Sequence, residues 1–277
     1  MKKNRITIID SKNTKQQYWN DLWSYRGLFY FLSWKDVLVR YKQTVIGVAW
    51  SVIRPFLTMI IFVLIFSKIA KLPSDGNAPY AIMVFAALLP WQFFSNALAD
   101  SGNSLVDNAD MVGKIFFPRV IIPASTIIVS LLDFCISFVI LIFLMLWYQF
   151  VPNITILLLP FFLLLAIINV LGLGLWLSAL NVTYRDFRYV IPFMVQFGLY
   201  LSPVGFSSSI VPEQWRMLYS LNPMVGVIDG FRWAILGSEN ATLYIPGFIV
   251  SIIISLVILY TGMKFFRKKE KTFADVI

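Results

Sequence analysis

Six apolar blocks, at roughly 52–70, 78–99, 120–149, 154–180, 189–209 and 243–266, dominate this chain. Each can hold the ~20 residues that a helix needs to cross ~30 Å of hydrocarbon. The basic residues between them are distributed unevenly. In a six-span count, nineteen of the 23 Lys and Arg fall on one side, and only Lys68, Lys71, Arg216 and Arg232 fall on the other. By the positive-inside rule both termini are expected in the cytoplasm. The expected fold is an all-α membrane protein with six transmembrane helices. A cytoplasmic amphipathic region, 1–50, precedes the spanning domain, 51–277. Composition agrees: 59% of the residues are hydrophobic and 13% charged, against about 45–50% and about 25% in soluble domains.

Several function classes drop out. The net charge of +9 is accounted for by the basic flanks, which attract anionic headgroups. No groove-reading motif or separate basic domain suggests nucleic acid. Cys135 is the one cysteine and there is no His, so neither a disulfide framework nor a thiolate metal site is available. The first fifty residues show no apolar core with a small-residue cleavage site, so insertion is expected to be directed by the first span. No G-x-x-x-x-G-K-[ST] loop occurs, and neither H-E-x-x-H nor G-x-S-x-G is present. Asp133 is the one carboxylate deep in a span, which argues against paired acid–base chemistry in the bilayer. No internal repeat relates spans 1–3 to spans 4–6, unlike many secondary transporters. Transport powered from outside the chain, by a dimer of six-span subunits, fits best.

Four stretches stand out from the spans. From Tyr18 to Tyr41 aromatic residues alternate with charges, which suits a surface-lying amphipathic element. Gly27 and Ser33-Trp34 are expected to divide it into two helices, and Arg40 and Lys42 lie at its end. The reading leaves open an anchor or a movable gate. Arg54-Pro55 is expected to open the first span, with Pro55 in the first turn. Asn108-Ala109-Asp110 can start a short helix running through Lys114 to Phe117 and stopped by Pro118; docking into a partner's groove and a plain interfacial turn both remain open. Residues 203–242 carry Glu213, Arg216, Asp229 and Arg232, too many charges to cross. They also carry Trp215, Met217, Leu218, Phe231 and Trp233, too apolar for a free loop. Two short re-entrant helices beginning at Pro212 and Pro223 and ending at Gly237 reconcile these facts. Within the spans, Gly172, Gly174 and Ser178 offer a narrow packing face. Asp133 is the costliest residue in lipid, with Asn169 and Gln196 as possible partners.

The ordered motifs resemble a known family. Arg40-Tyr41-Lys42-Gln43-Thr44 with Gly47, Trp50 and Pro55 is similar to the start of permease subunits of ABC-type polysaccharide exporters. Leu88-Leu89-Pro90-Trp91, Asn96-Ala97-Leu98, Asn108-Ala109-Asp110 with Lys114, and Phe117-Pro118-Arg119 continue the likeness. Asn181-Val182-Thr183-Tyr184-Arg185-Asp186, Ser202-Pro203-Val204, and Asn222-Pro223-Met224 with Gly230-Phe231-Arg232 complete it. Each motif is weak alone. Together they run in register from about residue 25 onward.

The resemblance implies a homodimer joined to two copies of a cytoplasmic ABC ATPase, in a bacterial inner membrane. ATP and Mg would be bound by that ATPase, with no cofactor on this chain. The cargo would be an O-antigen, capsule-like or teichoic-acid polymer on undecaprenyl diphosphate. A coupling helix would span 108–119, with Asn108, Asp110, Met111, Lys114, Phe117 and Arg119 facing the ATPase. Arg40, Tyr41, Lys42, Arg54, Arg185 and Arg188 are candidates for the substrate entrance. Phe62, Phe66, Trp91, Phe94, Phe197 and Tyr200 are candidates for an aromatic translocation path. Trp215, Arg216, Asp229 and Arg232 would mark the exit. Two alternatives remain: a permease of this architecture exporting a drug or small lipid, and a membrane enzyme using Asp133 or Asp186.

Overall fold

The computed structural model describes residues 15–42, 47–184 and 186–276. The readings attached to Gln43, Thr44 and Arg185 lie outside the described residues. Among those described, every regular element is helical. Two amphipathic helices come first, α1 (Lys15–Ser24) and α2 (Arg26–Lys42). The expected division at Gly27 and Ser33-Trp34 is absent, because the Ser33 hydroxyl donates to the Phe29 carbonyl at 2.9 Å inside a continuous helix. The chain breaks instead at Tyr25.

Helix α3 (Gly47–Phe62) continues as a π-helical stretch, Val63–Ile69, closed by a bond from the Ala70 N–H to the Ile65 carbonyl at 2.8 Å. Because α3 begins at Gly47, Pro55 lies in its interior and not in its first turn. Helix α4 (Tyr80–Asp107) follows, then the short α5 (Ala109–Lys114), α6 (Ile121–Trp147) and α7 (Leu159–Thr183). The remaining helices are α8 (Phe187–Tyr200), α9 (Glu213–Tyr219), α10 (Pro223–Leu236), α11 (Ile245–Lys269) and α12 (Phe273–Val276).

Helix α4 is the axis of the bundle. It is buried along nearly its whole length and touches α3, α6, α7, α8 and α10. Buried apolar residues from Ala81 to Leu89, including the three alanines Ala81, Ala86 and Ala87, allow five neighbours to close around it. Among the described residues, five helical segments are long and apolar enough to cross a membrane: α3 with its π extension, α4, α6, α7 with the turn before it, and α11. The fifth apolar block behaves differently. Its helix, α8, has 14 residues, about 21 Å at ~1.5 Å per residue. The chain leaves helical geometry at Leu201, two residues before Pro203, whose ring obstructs helix continuation.

The glycines forecast as one narrow face of α7 meet two different neighbours. A Cβ on Gly172 would lie 2.7 Å from the Leu259 nitrogen of α11, so only a residue without a side chain permits this approach. Gly174 faces Ser101 of α4 in the same way. The bundle thus has a basic end, carrying α1, α2, α5 and α12, and a far end, carrying α9, α10 and the segment before them.

Gly172→Ala is expected to push α7 and α11 apart at a cost of about 1–3 kcal/mol. The thermal midpoint of the detergent-solubilised protein should fall by several degrees. Gly27→Ala has open space around it and should hold or raise the midpoint.

Candidate functional site

At the basic end α2 is tied into the bundle by charge. The Arg40 guanidinium lies 3.2 Å from Asp100 of α4 and 3.2 Å from Asp133 of α6. The Tyr41 hydroxyl donates to Asp133 Oδ1 at 2.5 Å, and Ser51 of α3 donates to the same oxygen at 2.9 Å. Burial and the bond to Asp133 push the Tyr41 phenol up to about 12, so it remains the donor. Asp133 therefore finds its partners on α2 and α3, and neither Asn169 nor Gln196 is among these. Asn169 donates to its own helix at the Leu165 carbonyl, 3.0 Å away. A carboxylate inside an apolar helix is tolerated here because three donors from two other helices converge on it.

This geometry bears on what Arg40 can bind. It faces two carboxylates, and the adjoining cleft of about 330 Å³ is also lined by Asp36 and Asp107. Such a surface repels an anion. Of the other expected entrance residues, Lys42, Arg54 and Arg188 are exposed on α2, α3 and α8.

The segment 108–119 folds partly as expected. Helix α5 ends at Lys114, Ile115 is extended, and the chain stays non-helical to Pro118. Asp110 and Lys114 project outward and pair at 2.9 Å, which holds the Asp110 carboxyl below its usual range. Met111 is half-buried. Phe117 points inward and is 4% exposed, packed with Val112, Phe266 and Phe273. Ile115 and Phe116 take the outward position instead, at 55% and 64% exposure. Sequence reading missed both, and the apolar run Ile115-Phe116-Phe117 held no clue to which ring faces out. The loop is also held to the first two helices. Lys35 donates to Asn108 Oδ1 at 3.1 Å, and the Tyr25 hydroxyl donates to the Phe116 carbonyl at 3.3 Å.

The six expected path aromatics divide into three groups. Trp91 and Phe94 are buried inside the subunit, Trp91 against Gly198. Phe62 and Phe66 form a half-buried pair, with Phe66 against Gly205. Phe197 and Tyr200 are exposed on α8, where Tyr189 and Phe193 extend them into one stripe. These four residues are spaced four, four and three apart, so one helix face presents them all. Phe193 and Phe197 stack with 5.8 Å between ring centroids.

At the far end the charges serve the backbone. Arg232 is 2% exposed, and its guanidinium donates to the Phe206 carbonyl at 2.7 Å and the Val204 carbonyl at 3.0 Å. Tyr80 donates to the carbonyl between them, Gly205, at 2.6 Å. Asn222 caps α10 through the Met224 N–H at 3.0 Å and donates to Ser202 Oγ, also at 3.0 Å. Three motifs distant in sequence thus converge on the single non-helical turn after α8. Arg216 holds a second turn through the Val211 and Ser209 carbonyls, each at 3.0 Å. Asp229 is buried on α10 beside this network, and Trp215 is exposed.

A bundle of long apolar helices, with amphipathic helices at one end and short packed helices at the other, defines a multi-pass membrane protein. The chain belongs to the ABC-2 type transporter family, whose signature matches residues 27–236. It is 26% identical over 259 residues to the O-antigen export system permease protein RfbA of Myxococcus xanthus, covering 93% of this chain and 98% of that one. Similarity to RfbA of Klebsiella pneumoniae is 28% over 249 residues, covering 88% and 92%. The polysialic acid transport protein KpsM of Escherichia coli is 25% identical over 248 residues, covering 86% and 91%.

Replacing Arg232 by Met should orphan two carbonyls, at about 1–3 kcal/mol each. Arg232→Lys is not conservative, since one ammonium is a compact point donor that lacks the planar fork. Thermal unfolding in detergent is expected to rank the variants Arg232→Met, then Arg232→Lys, then Arg216→Met, from most to least destabilised.

Proposed function

We propose that this chain is the membrane subunit of an ATP-driven exporter that carries polysaccharide, attached to undecaprenyl diphosphate, from the cytoplasmic to the outer side of a bacterial inner membrane. The observation that carries this reading is end-to-end similarity to proteins named for O-antigen export and polysialic acid transport, covering more than nine-tenths of each. Two copies would assemble with two copies of a cytoplasmic ABC ATPase, which binds ATP and Mg. The one-sided basic residues support an orientation with α1, α2, α5 and α12 in the cytoplasm.

In this reading α8 and the turn held by Arg232 together complete a sixth crossing. A non-helical segment is acceptable at membrane depth when its carbonyls are satisfied by protein, and those of Val204, Gly205 and Phe206 are. Helices α9 and α10 are the re-entrant pair that narrows the outer exit. Residues 1–50 supply the gate region, in which Arg40 and Tyr41 hold α2 against Asp100 and Asp133. Lys42, Arg54, Arg185 and Arg188 are left to attract the lipid diphosphate. Release of the Arg40 contacts would let α2 move. The stripe Tyr189, Phe193, Phe197 and Tyr200 offers ring faces on which sugar C–H groups slide with little sequence demand.

The ATPase docks on the outward residues of 108–119, namely Asp110, Lys114, Ile115 and Phe116. Phe117 and Arg119 support them from behind.

Loss of the chain from its host should abolish surface polymer while lipid-linked polymer accumulates inside. Unchanged surface polymer would refute the reading. Phe116→Asp is expected to weaken capture of the ATPase on co-purification by about tenfold or more, the scale of an interface hot spot. Phe193→Ala with Phe197→Ala should lower export severalfold while ATPase binding stays at the parental level. Export at the parental rate would remove α8 from the path.

A further inference from the structure

Helix α11 is anchored at both ends by contacts that the docking and path assignments leave unused. At the basic end Glu270 directly follows the helix. Its carboxylate accepts the Arg119 backbone N–H at 2.7 Å and the Tyr18 hydroxyl at 3.2 Å. The Arg119 guanidinium donates in return to the Glu270 carbonyl. Arg267 stacks over the Tyr18 ring at 4.2 Å, and Arg119 faces the Phe273 ring at 6.0 Å. Because main-chain atoms of both Arg119 and Glu270 take part, the connection joins one backbone to the other.

At the far end Ser251 of α11 donates to the Ser220 carbonyl, at 3.3 Å, where α9 ends. Gly226 of α10 lets Ser251 approach so closely that a Cβ on the glycine would fall 2.6 Å from Ser251 Cβ. Between these anchors, from Ser251 to Lys269, α11 is unbroken helix, about 28 Å at ~1.5 Å per residue. Its middle is locked to α7 through Gly172 and Gly262. A helix clamped in this way moves as a stiff body, since close-packed interfaces shift between discrete arrangements and do not deform smoothly.

We propose that Glu270 is a positioning residue that makes α11 a transmission rod, carrying displacement of the 108–119 loop to the α9–α10 pair at the opposite end of the bundle. This rests on the export-permease reading above. When the ATPase closes and moves the loop, Arg119 draws Glu270 with it, and Ser251 shifts its contacts with Ser220 and Gly226. Opening outside is thereby tied to nucleotide state inside. Without Glu270 the loop still docks, but its motion is lost before it reaches the exit.

The test uses the full complex with its ATPase in membranes, in a Cys135→Ser background carrying Glu213→Cys at the start of α9. A membrane-impermeant maleimide applied from outside reports exit accessibility, with and without ATP plus vanadate. Glu270→Ala is expected to keep ATPase co-purification and to keep ATP turnover within about twofold. Export should fall about tenfold or more, within the usual span of a coupling free energy. The nucleotide-dependent change in labelling should disappear. Glu270→Gln retains an acceptor for the Arg119 N–H and should restore most of both signals. Parental export and labelling in Glu270→Ala would overturn the proposal. So would equal failure of the Ala and Gln variants with loss of the ATPase, which marks a merely structural residue. Parental labelling that ignores nucleotide defeats the rod but leaves the exporter standing. A parental chain that captures no ATPase defeats the exporter reading and the rod together.

Discussion

Backbone groups removed from water must find partners inside the protein, and the far end of the bundle turns on a place where a helix does not supply them. After α8 the chain abandons helical bonding among packed helices, and its free carbonyls would each be costly if left alone. Arg232 and Tyr80 answer three of them in succession. The guanidinium is buried for this purpose, and the nearby carboxylates of Asp229 and Asp75 offset its charge. Everything at the far end is arranged around that arrangement: Asn222 starts α10 where its amide also reaches Ser202, and Gly230 leaves room for Phe162.

Buried charge at the basic end serves another purpose. Arg40 and Tyr41 join a surface-type helix to α4 and α6 through Asp100 and Asp133, and Ser51 of α3 meets the same Asp133 carboxylate. Removing Arg40 would leave the carboxylates of Asp100 and Asp133 short of a partner, so these contacts hold α2 in place beside its apolar packing through Leu32. Arg232 instead holds neutral carbonyls in a closed pocket.

Much of this was legible in the residues. Apolar blocks located the five long helices to within a few positions, because a span must be continuous and greasy, except that α4 runs on past its block to Asp107. Pro212, Asn222-Pro223 and Gly237 bounded α9 and α10 correctly, since caps act locally. The glycines of α7 announced a close neighbour, although not that it would be α11. What stayed hidden depends on contacts between distant residues. Apolarity continues past Tyr200, so composition gave no sign that α8 stops there. Asp133 is answered by Tyr41 and Ser51, 92 and 82 positions away. Ser33-Trp34 looked like a break between helices because a serine that bonds back to its own helix has the same sequence appearance. Phe116 and Phe117 differ only in direction, which the packing of Phe273 decides. Glu270 carried no signal at all in a basic tail.

The π-helical stretch at the end of α3 has a consequence for reading that helix. Bonds that skip one more residue than in an α-helix widen the turn, so the angular step between successive side chains changes at Val63. A face followed by counting from Ser51, which meets Asp133, therefore loses phase before it reaches Phe66, which meets Gly205. The two halves of one continuous rod present differently rotated surfaces, and a residue-by-residue scan of α3 needs two periods to describe it.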